Sequence, residues 1–265
     1  MNMQAIITAV IVIAILGLIL GLFLGIAAKA FHVETDPREE KITAALPGNN
    51  CGGCGYPGCS GLAAAIVKGD APVNGCPVGG ESAAKAVAEI MGVDAGNSVR
   101  MVAFVKCAGD CEKANKDYEY TGEQDCRMAA MLPGGGDKSC SFGCLGYGNC
   151  VKSCPFDAIH IVNGIAVVDK EACKACSKCI EACPKKLIEL VPYEAEYLVA
   201  CNSKDKGPDV MKKCKAGCIG CSLCKKNCPK DAVDISDFLA HIDQDKCEGC
   251  GACAEKCPKK AIVHH

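Results

Sequence analysis

Residues 5–28 carry no charged side chain and are dominated by Ile, Leu, Val, Ala and Gly. About 20 apolar residues span the hydrocarbon core of a bilayer, so this run predicts one transmembrane helix within residues 1–30. A secretory signal peptide is the other reading of such a run. Against it, residues 1–4 hold no Lys or Arg and the apolar stretch exceeds the core of such peptides. Gly17, Gly21 and Gly25 recur every four residues and so share one helix face, a pattern that lets a second membrane helix approach closely. No ionisable residue lies inside the span, which argues against this chain moving ions by itself.

Past the span, the apolar segments become short. The polar stretch around Asp36-Pro37 predicts a linker over residues 31–41. Residues 60–68 predict a helix stopped by Gly69, and residues 82–91 a second one capped by Ser82. The runs VAFVKC and YLVAC read as short strands ending at Cys107 and Cys201. In IHIVNGIAVVD, apolar alternation flanks Asn163-Gly164, the signal of a two-residue hairpin. A second hairpin is expected over residues 233–242, without the Asn-Gly pair.

Composition changes this picture. Twenty-five of the 265 residues are cysteine, tryptophan is absent, and aromatics make up only 5%. The side-chain core is therefore small, and inorganic centres are expected to supply part of it. The cysteines fall into groups closed by Cys76-Pro77, Cys154-Pro155, Cys183-Pro184, Cys228-Pro229 and Cys257-Pro258. The sets Cys173, Cys176, Cys179, Cys183; Cys218, Cys221, Cys224, Cys228; and Cys247, Cys250, Cys253, Cys257 match the run C-x2-C-x2-C-x3-C-P. That run wraps a [4Fe–4S] cube, and its last Cys ligates the neighbouring cluster. A secreted disulfide scaffold would not repeat it, so a reducing, cytoplasmic setting is expected for the soluble part. Lys29, Arg38 and Lys41 follow the span and agree with that side.

Cys51, Cys54, Cys59 and Cys76, in LPGNNCGGCGYPGCSG and CPVGG, supply four thiolates for one further cube, or else a zinc ion. Eight cysteines from Cys140 to Cys183 recur 74 positions later, so the C-terminal part is an internal duplication of a two-cluster module. Tyr147 stands where Cys221 stands in the second copy. Cys140 is expected to replace the missing ligand and to join Cys144, Cys150 and Cys183. The alternative is an empty or three-iron site. The other crossed sets are Cys173, Cys176, Cys179 with Cys154; Cys218, Cys221, Cys224 with Cys257; and Cys247, Cys250, Cys253 with Cys228. Five [4Fe–4S] clusters then use twenty cysteines. Cys107, Cys111, Cys126, Cys201 and Cys214 remain, as buried thiols or as a further metal site.

Four-cysteine cubes leave no open coordination position, so they exchange electrons and do not bind substrate. The chain shows no strand–GxGxxG–helix unit and no P-loop. Formal net charge is −2, yet from residue 200 onward Lys outnumbers Asp and Glu. Lys225, Lys226, Lys259 and Lys260 are the candidates for steering an acidic redox partner such as a soluble ferredoxin; the plainer reading is that they offset the anionic cubes. Nucleic-acid binding is not expected, because interleaved aromatics are missing.

The anchor, the NCGGCGYPGC…CPVGG segment and the modules beginning CSFGCLGYGNCVKSCPFDAI together resemble the B-subunit family of Rnf complexes, in its long clostridial-type form. The resemblance implies a membrane-bound ferredoxin:NAD oxidoreductase that couples electron flow to sodium or proton transport. In it, this subunit takes electrons from reduced ferredoxin and passes them to flavin-carrying partner subunits. The fold expected is α+β: an anchor (1–30), a linker (31–41), a small 4Fe-4S domain (42–95), and two ferredoxin-like modules (96–200 and 201–265). The rivals are a membrane-tethered redox sensor or zinc scaffold, and a methyl-transfer protein of corrinoid type. The latter needs a cobalamin-binding barrel for which the chain has no room.

Overall fold

The computed structural model describes residues 3–30, 36–96 and 99–265. Residues 31–35 of the expected linker lie outside the described residues. Helix α1 (Met3–Ala30) is a single 28-residue rod. At about 1.5 Å per residue it is long enough to cross a bilayer, and residues Val10–Ala27 form its most apolar window. A Cβ placed on Gly17, Gly21 or Gly25 would meet nothing within 4 Å, so this glycine face has no partner among the described residues.

The rest of the expected linker is a helix. Pro37 occupies the first position of α2 (Pro37–Ala45), and the Asp36 carboxylate caps it by accepting from Arg38 N–H. Asp-Pro followed by Glu39 and Glu40 is a helix start, because proline pre-sets φ at the first turn and acidic residues favour the N-terminal dipole. Helix α3 (Gly58–Lys68) ends at Gly69 in the left-handed region, as its sequence predicts. Helix α4 (Gly80–Met91) begins earlier than expected. Gly79 is its N-cap, and Ser82 sits inside the first turn with its hydroxyl donating to Gly79 O. Ile42, Leu62, Ile66 and Val87 close the core between these helices and are 0–2% exposed. The first domain therefore draws on α2 for its core.

The two modules have the same plan. In the first, β1 (Met101–Val105) precedes α5 (Cys126–Ala130) and α6 (Asn149–Ser153). The hairpin β2 (Ile159–Val162) and β3 (Ile165–Val168), helix α7 (Lys178–Ala182) and β4 (Ile188–Pro192) follow. In the second, β5 (Tyr197–Val199) precedes α8 (Gly207–Lys213) and α9 (Leu223–Lys226). The hairpin β6 (Val233–Ser236) and β7 (Leu239–Ile242), α10 (Ala252–Glu255) and β8 (Ile262–His264) complete it. In each module the leading strand pairs antiparallel with the last one, β1 with β4 and β5 with β8. Val105 faces Ile188, and Val199 faces Ile262. The hairpin register repeats as well, with Ile159 opposite Val168 and Val233 opposite Ile242.

Both hairpins turn through two residues of positive φ, Asn163-Gly164 and Asp237-Phe238. Each turn lies hard against a glycine of the preceding cysteine loop. A Cβ on Gly146 would stand 2.5 Å from Gly164 O, and one on Gly220 would stand 2.7 Å from Phe238 O. Gly220→Ala therefore forces backbone apart from backbone at a φ of +63°. We expect it to lower stability by about 1–3 kcal/mol, read as a lower temperature for loss of the visible absorbance of the purified chain.

Candidate iron–sulfur centres

All 25 cysteines are free thiols. Among the described residues, no three metal-binding side chains converge closely enough to hold a single ion. The cysteines instead surround open space in sets. Cys154, Cys173, Cys176 and Cys179 line one pocket of about 340 Å³. Cys218, Cys221, Cys224 and Cys257 line a second, and Cys228, Cys247, Cys250 and Cys253 a third. These are the crossed sets that the spacing predicts. In the first domain, Cys54 and Cys59 lie beside Cys76, while Cys51 lies toward Cys176.

The fourth pocket departs from the expectation. It holds Cys144, Cys150 and Cys183 together with Cys126, and Cys140 is not among its walls. Cys126 opens α5, which sits in a segment present only in the first module. The separation from Cys107 to Cys140 exceeds that from Cys201 to Cys214 by 20 residues. Two hydrogen bonds fasten this insertion over the site. Cys126 N–H donates to Asn149 Oδ1 at 2.8 Å, and Asn149 Nδ2 donates to Asp125 Oδ2 at 2.9 Å. Asp125 also caps α5 by accepting from Arg127 and Met128 N–H. Tyr147, which occupies the position of the missing cysteine, packs on Tyr120 of the same insertion, with ring centroids 5.2 Å apart. Burial and the charge of Asp137 push its phenol up, and Tyr147 is not among the walls of this pocket. The sequence signal for Cys126 is faint. It stands alone, outside every repeat, and only its placement after a capping Asp marks it as fixed in position.

The backbone supplies a test of fit for iron–sulfur cubes, whose sulfurs need hydrogen bonds to the thiolate charge. The closing cysteine of each run in the two modules accepts from the N–H four residues later. Ala158 donates to Cys154, Leu187 to Cys183, Ala232 to Cys228 and Ala261 to Cys257, at 3.3–3.5 Å. Ala103 donates to Cys173, Ala166 to Cys144 and Gly79 to Cys76. Burial meanwhile pushes the Cys150 and Cys179 thiols up to about 12 and the Cys224 thiol up to about 11. Such thiols keep their protons at neutral pH until a metal displaces them. Donors aimed at sulfur, inside pockets that disfavour a bare thiolate, suit a buried metal–sulfur body.

The sites are also strung together. Gly53, in the first-domain loop, lies so close to Cys176 that a Cβ there would stand 2.9 Å from Cys176 O and 3.0 Å from its Cα. Cys221 and Cys250 are exposed, whereas the other cysteines of these quartets are buried or partly buried. Of the candidate docking lysines, Lys225 is paired with Asp234 at 2.8 Å. Among the described residues, Lys226, Lys259 and Lys260 form no ion pair within 4.0 Å, and Lys259 lines the pocket of Cys218 and Cys257.

Comparisons with known proteins support the presence of iron–sulfur centres. An Fe-S cluster family matches residues 46–78, and 4Fe-4S dicluster domain families match residues 137–184 and 217–261. The chain is 54% identical, over 84% of its length and 67% of the relative, to the B subunit of the Na(+)-translocating ferredoxin:NAD(+) oxidoreductase complex of Acetobacterium woodii. It is 43% identical, over 84% of both chains, to the B subunit of the ion-translocating oxidoreductase complex of Methanosarcina acetivorans. It is 44% identical, over 83% of its length and 78% of the relative, to the B subunit of the proton-translocating ferredoxin:NAD(+) oxidoreductase complex of Clostridium ljungdahlii. Cysteine-lined pockets, together with one helix among the described residues long and apolar enough to cross a membrane, thus coincide with similar relatives along most of the chain's length, and the chain belongs to the family of ion-translocating oxidoreductase complex B subunits.

Proposed function

We propose that this chain is the electron-input subunit of a membrane-bound ferredoxin:NAD oxidoreductase. It takes electrons from a reduced soluble ferredoxin and delivers them to flavin-carrying partner subunits that perform NAD reduction and ion transport. Helix α1 anchors it, with the soluble domains on the cytoplasmic side. Five quartets hold [4Fe–4S] cubes: Cys51, Cys54, Cys59, Cys76; Cys154, Cys173, Cys176, Cys179; Cys126, Cys144, Cys150, Cys183; Cys218, Cys221, Cys224, Cys257; and Cys228, Cys247, Cys250, Cys253. When bound, each supplies a one-electron carrier. The residues around it keep water out, hold the sulfurs in place, and offer N–H groups that stabilise added negative charge.

The observation that supports this reading is the polarity of the series. The quartets whose ligands are exposed, at Cys221 and Cys250, lie in the Lys-rich second module. At the other end, the first-domain quartet meets the first module through Gly53 and Cys176. Electrons therefore have an accessible point of input far along the chain from the anchored domain. Lys226, Lys259 and Lys260 carry the positive charge there, because Asp234 already offsets Lys225.

Replacing Lys226, Lys259 and Lys260 together by Glu should raise the apparent KM for reduced ferredoxin several-fold at low salt. The difference should shrink as added salt screens the surface. Reduction of the clusters by dithionite, which needs no docking, should keep its wild-type extent. A KM unchanged at low ionic strength would remove ferredoxin docking from this surface.

A further inference from the structure

Four of the cysteines left over from these five quartets meet at a single place. Cys107, Cys140, Cys201 and Cys214 line one pocket between the two modules. Resting on the iron–sulfur reading above, we propose that this pocket is a sixth [4Fe–4S] site, built across the module interface, that joins the first module's clusters to the second's.

The pocket has the duplicated chain's own symmetry. Cys107 ends the approach from β1 and Cys201 the approach from β5. Cys140 and Cys214 each stand four residues before the first cysteine of their module's run. One such pair therefore comes from each module. Equivalent backbone bonds frame the two halves: Lys106 N–H donates to Leu187 O and Ala200 N–H donates to Ala261 O, both at 2.8 Å. The modules are stitched around the pocket by Ala108 N–H to Ala200 O, Asn115 N–H to Lys213 O and Lys215 N–H to Lys113 O, at 2.8–2.9 Å.

The pocket also carries the features that mark the other sites. Its open space, about 460 Å³, is no smaller than the 340–390 Å³ of the four module quartets. Two of its sulfurs accept backbone hydrogen bonds, Cys107 from Cys144 N–H at 3.4 Å and Cys201 from Cys218 N–H at 3.3 Å. The two donors are themselves cysteines of the flanking quartets, one in each module. Gly109 packs between sulfurs of the two modules: a Cβ there would stand 3.2 Å from Cys214 Sγ and 3.7 Å from Cys107 Sγ. Lys138 is 3% exposed and also lines the pocket. Its ammonium donates to Gly109 O at 2.8 Å and Gly164 O at 3.2 Å. Lys138 forms no ion pair among the described residues, and thiolates at this pocket and at neighbouring Cys144 would offset its charge. Free thiols as small apolar fillers would not require the symmetry.

Function gives the site a purpose. Between the quartet of Cys144 and the quartet of Cys218 lies this pocket, bonded to both. One electron arriving there from the second module leaves that donor oxidised by one and passes on to the first module, with no proton transferred and no bond made or broken. With the site filled, 24 of the 25 cysteines are ligands and Cys111 alone is free.

The test is iron and acid-labile sulfide in the full chain, purified without oxygen from iron-replete cells, beside the double variant Cys107→Ala/Cys201→Ala. Six cubes give about 24 iron and 24 sulfide per chain, and the double variant should lose about four of each. In the variant, reduced ferredoxin should still reduce the second module at the wild-type rate, while reduction of the first module slows. A wild-type count of about 20, with or without one zinc ion, overturns the sixth site and leaves the five-cluster function standing. A chain without iron overturns both. If the double variant does not fold, the wild-type count decides alone.

Discussion

Replacing Cys126 by alanine is expected to cost the first module one whole cluster. About four iron atoms and four sulfides per chain should be lost, or about one iron if a three-iron remnant survives on Cys144, Cys150 and Cys183. Cys126 lines that pocket and Cys140 does not. The variant should therefore lose a centre whose ligands lie wholly in the first module. Replacing Cys140 should leave that centre's spectrum intact. Electron paramagnetic resonance of the dithionite-reduced protein, compared across the two variants, distinguishes the cases. If Cys140→Ala removes the signal that Cys126→Ala leaves untouched, the assignment is reversed. A milder version follows from Asn149, which ties Cys126 N–H and Asp125 to the site. Asn149→Ala should make the same cluster the first to bleach on exposure to air.

Gly53→Ala is expected to uncouple the first domain from the first module while leaving the cysteine quartets filled. The new Cβ would meet the Cys176 backbone at 2.9–3.1 Å, where no side-chain rotation relieves the contact. Overpacking of this kind costs about 1–3 kcal/mol, and the least costly relief is for the two loops to move apart. Iron content should stay at the wild-type value. Upon mixing with reduced ferredoxin, the ferredoxin-like modules should be reduced at the normal rate and the first-domain cluster late. Rapid-freeze spectroscopy reads both. Undiminished reduction of the first-domain cluster would mean that electrons reach it by a path that does not cross Gly53 and Cys176.

Much of this arrangement is legible in the cysteines because iron–sulfur ligation is local. A run such as Cys247, Cys250, Cys253 and Cys257 fixes its own loop, and the offset of 74 repeats it without gaps. The Asn163-Gly164 turn and the strands before Cys107 and Cys201 follow from short-range chemistry. What stays hidden is long-range. The insertion between Cys107 and Cys140 shifts the leading strand of the first module out of that offset, so that Cys107 and Cys201 are partners at a separation of 94 instead. Cys140 thus looks like a spare ligand beside Tyr147, when it lines the pocket between the modules with Cys107, Cys201 and Cys214. Cys126 reaches its pocket only because the insertion folds back onto Asn149, a tertiary contact that no local pattern carries. Helix α2 is hidden for the opposite reason. Its strong start signal, Asp36-Pro37, precedes a segment with a single fully buried apolar position, Ile42.

The most direct test of the central claim is the metal itself. The full chain, purified under strict anaerobiosis from iron-replete cells, should be brown and carry iron and acid-labile sulfide in equal amounts, about 20 or more of each. On addition of dithionite it should bleach and develop overlapping paramagnetic signals. Stoichiometric zinc, no labile sulfide, and no signal after reduction would contradict the account at its root.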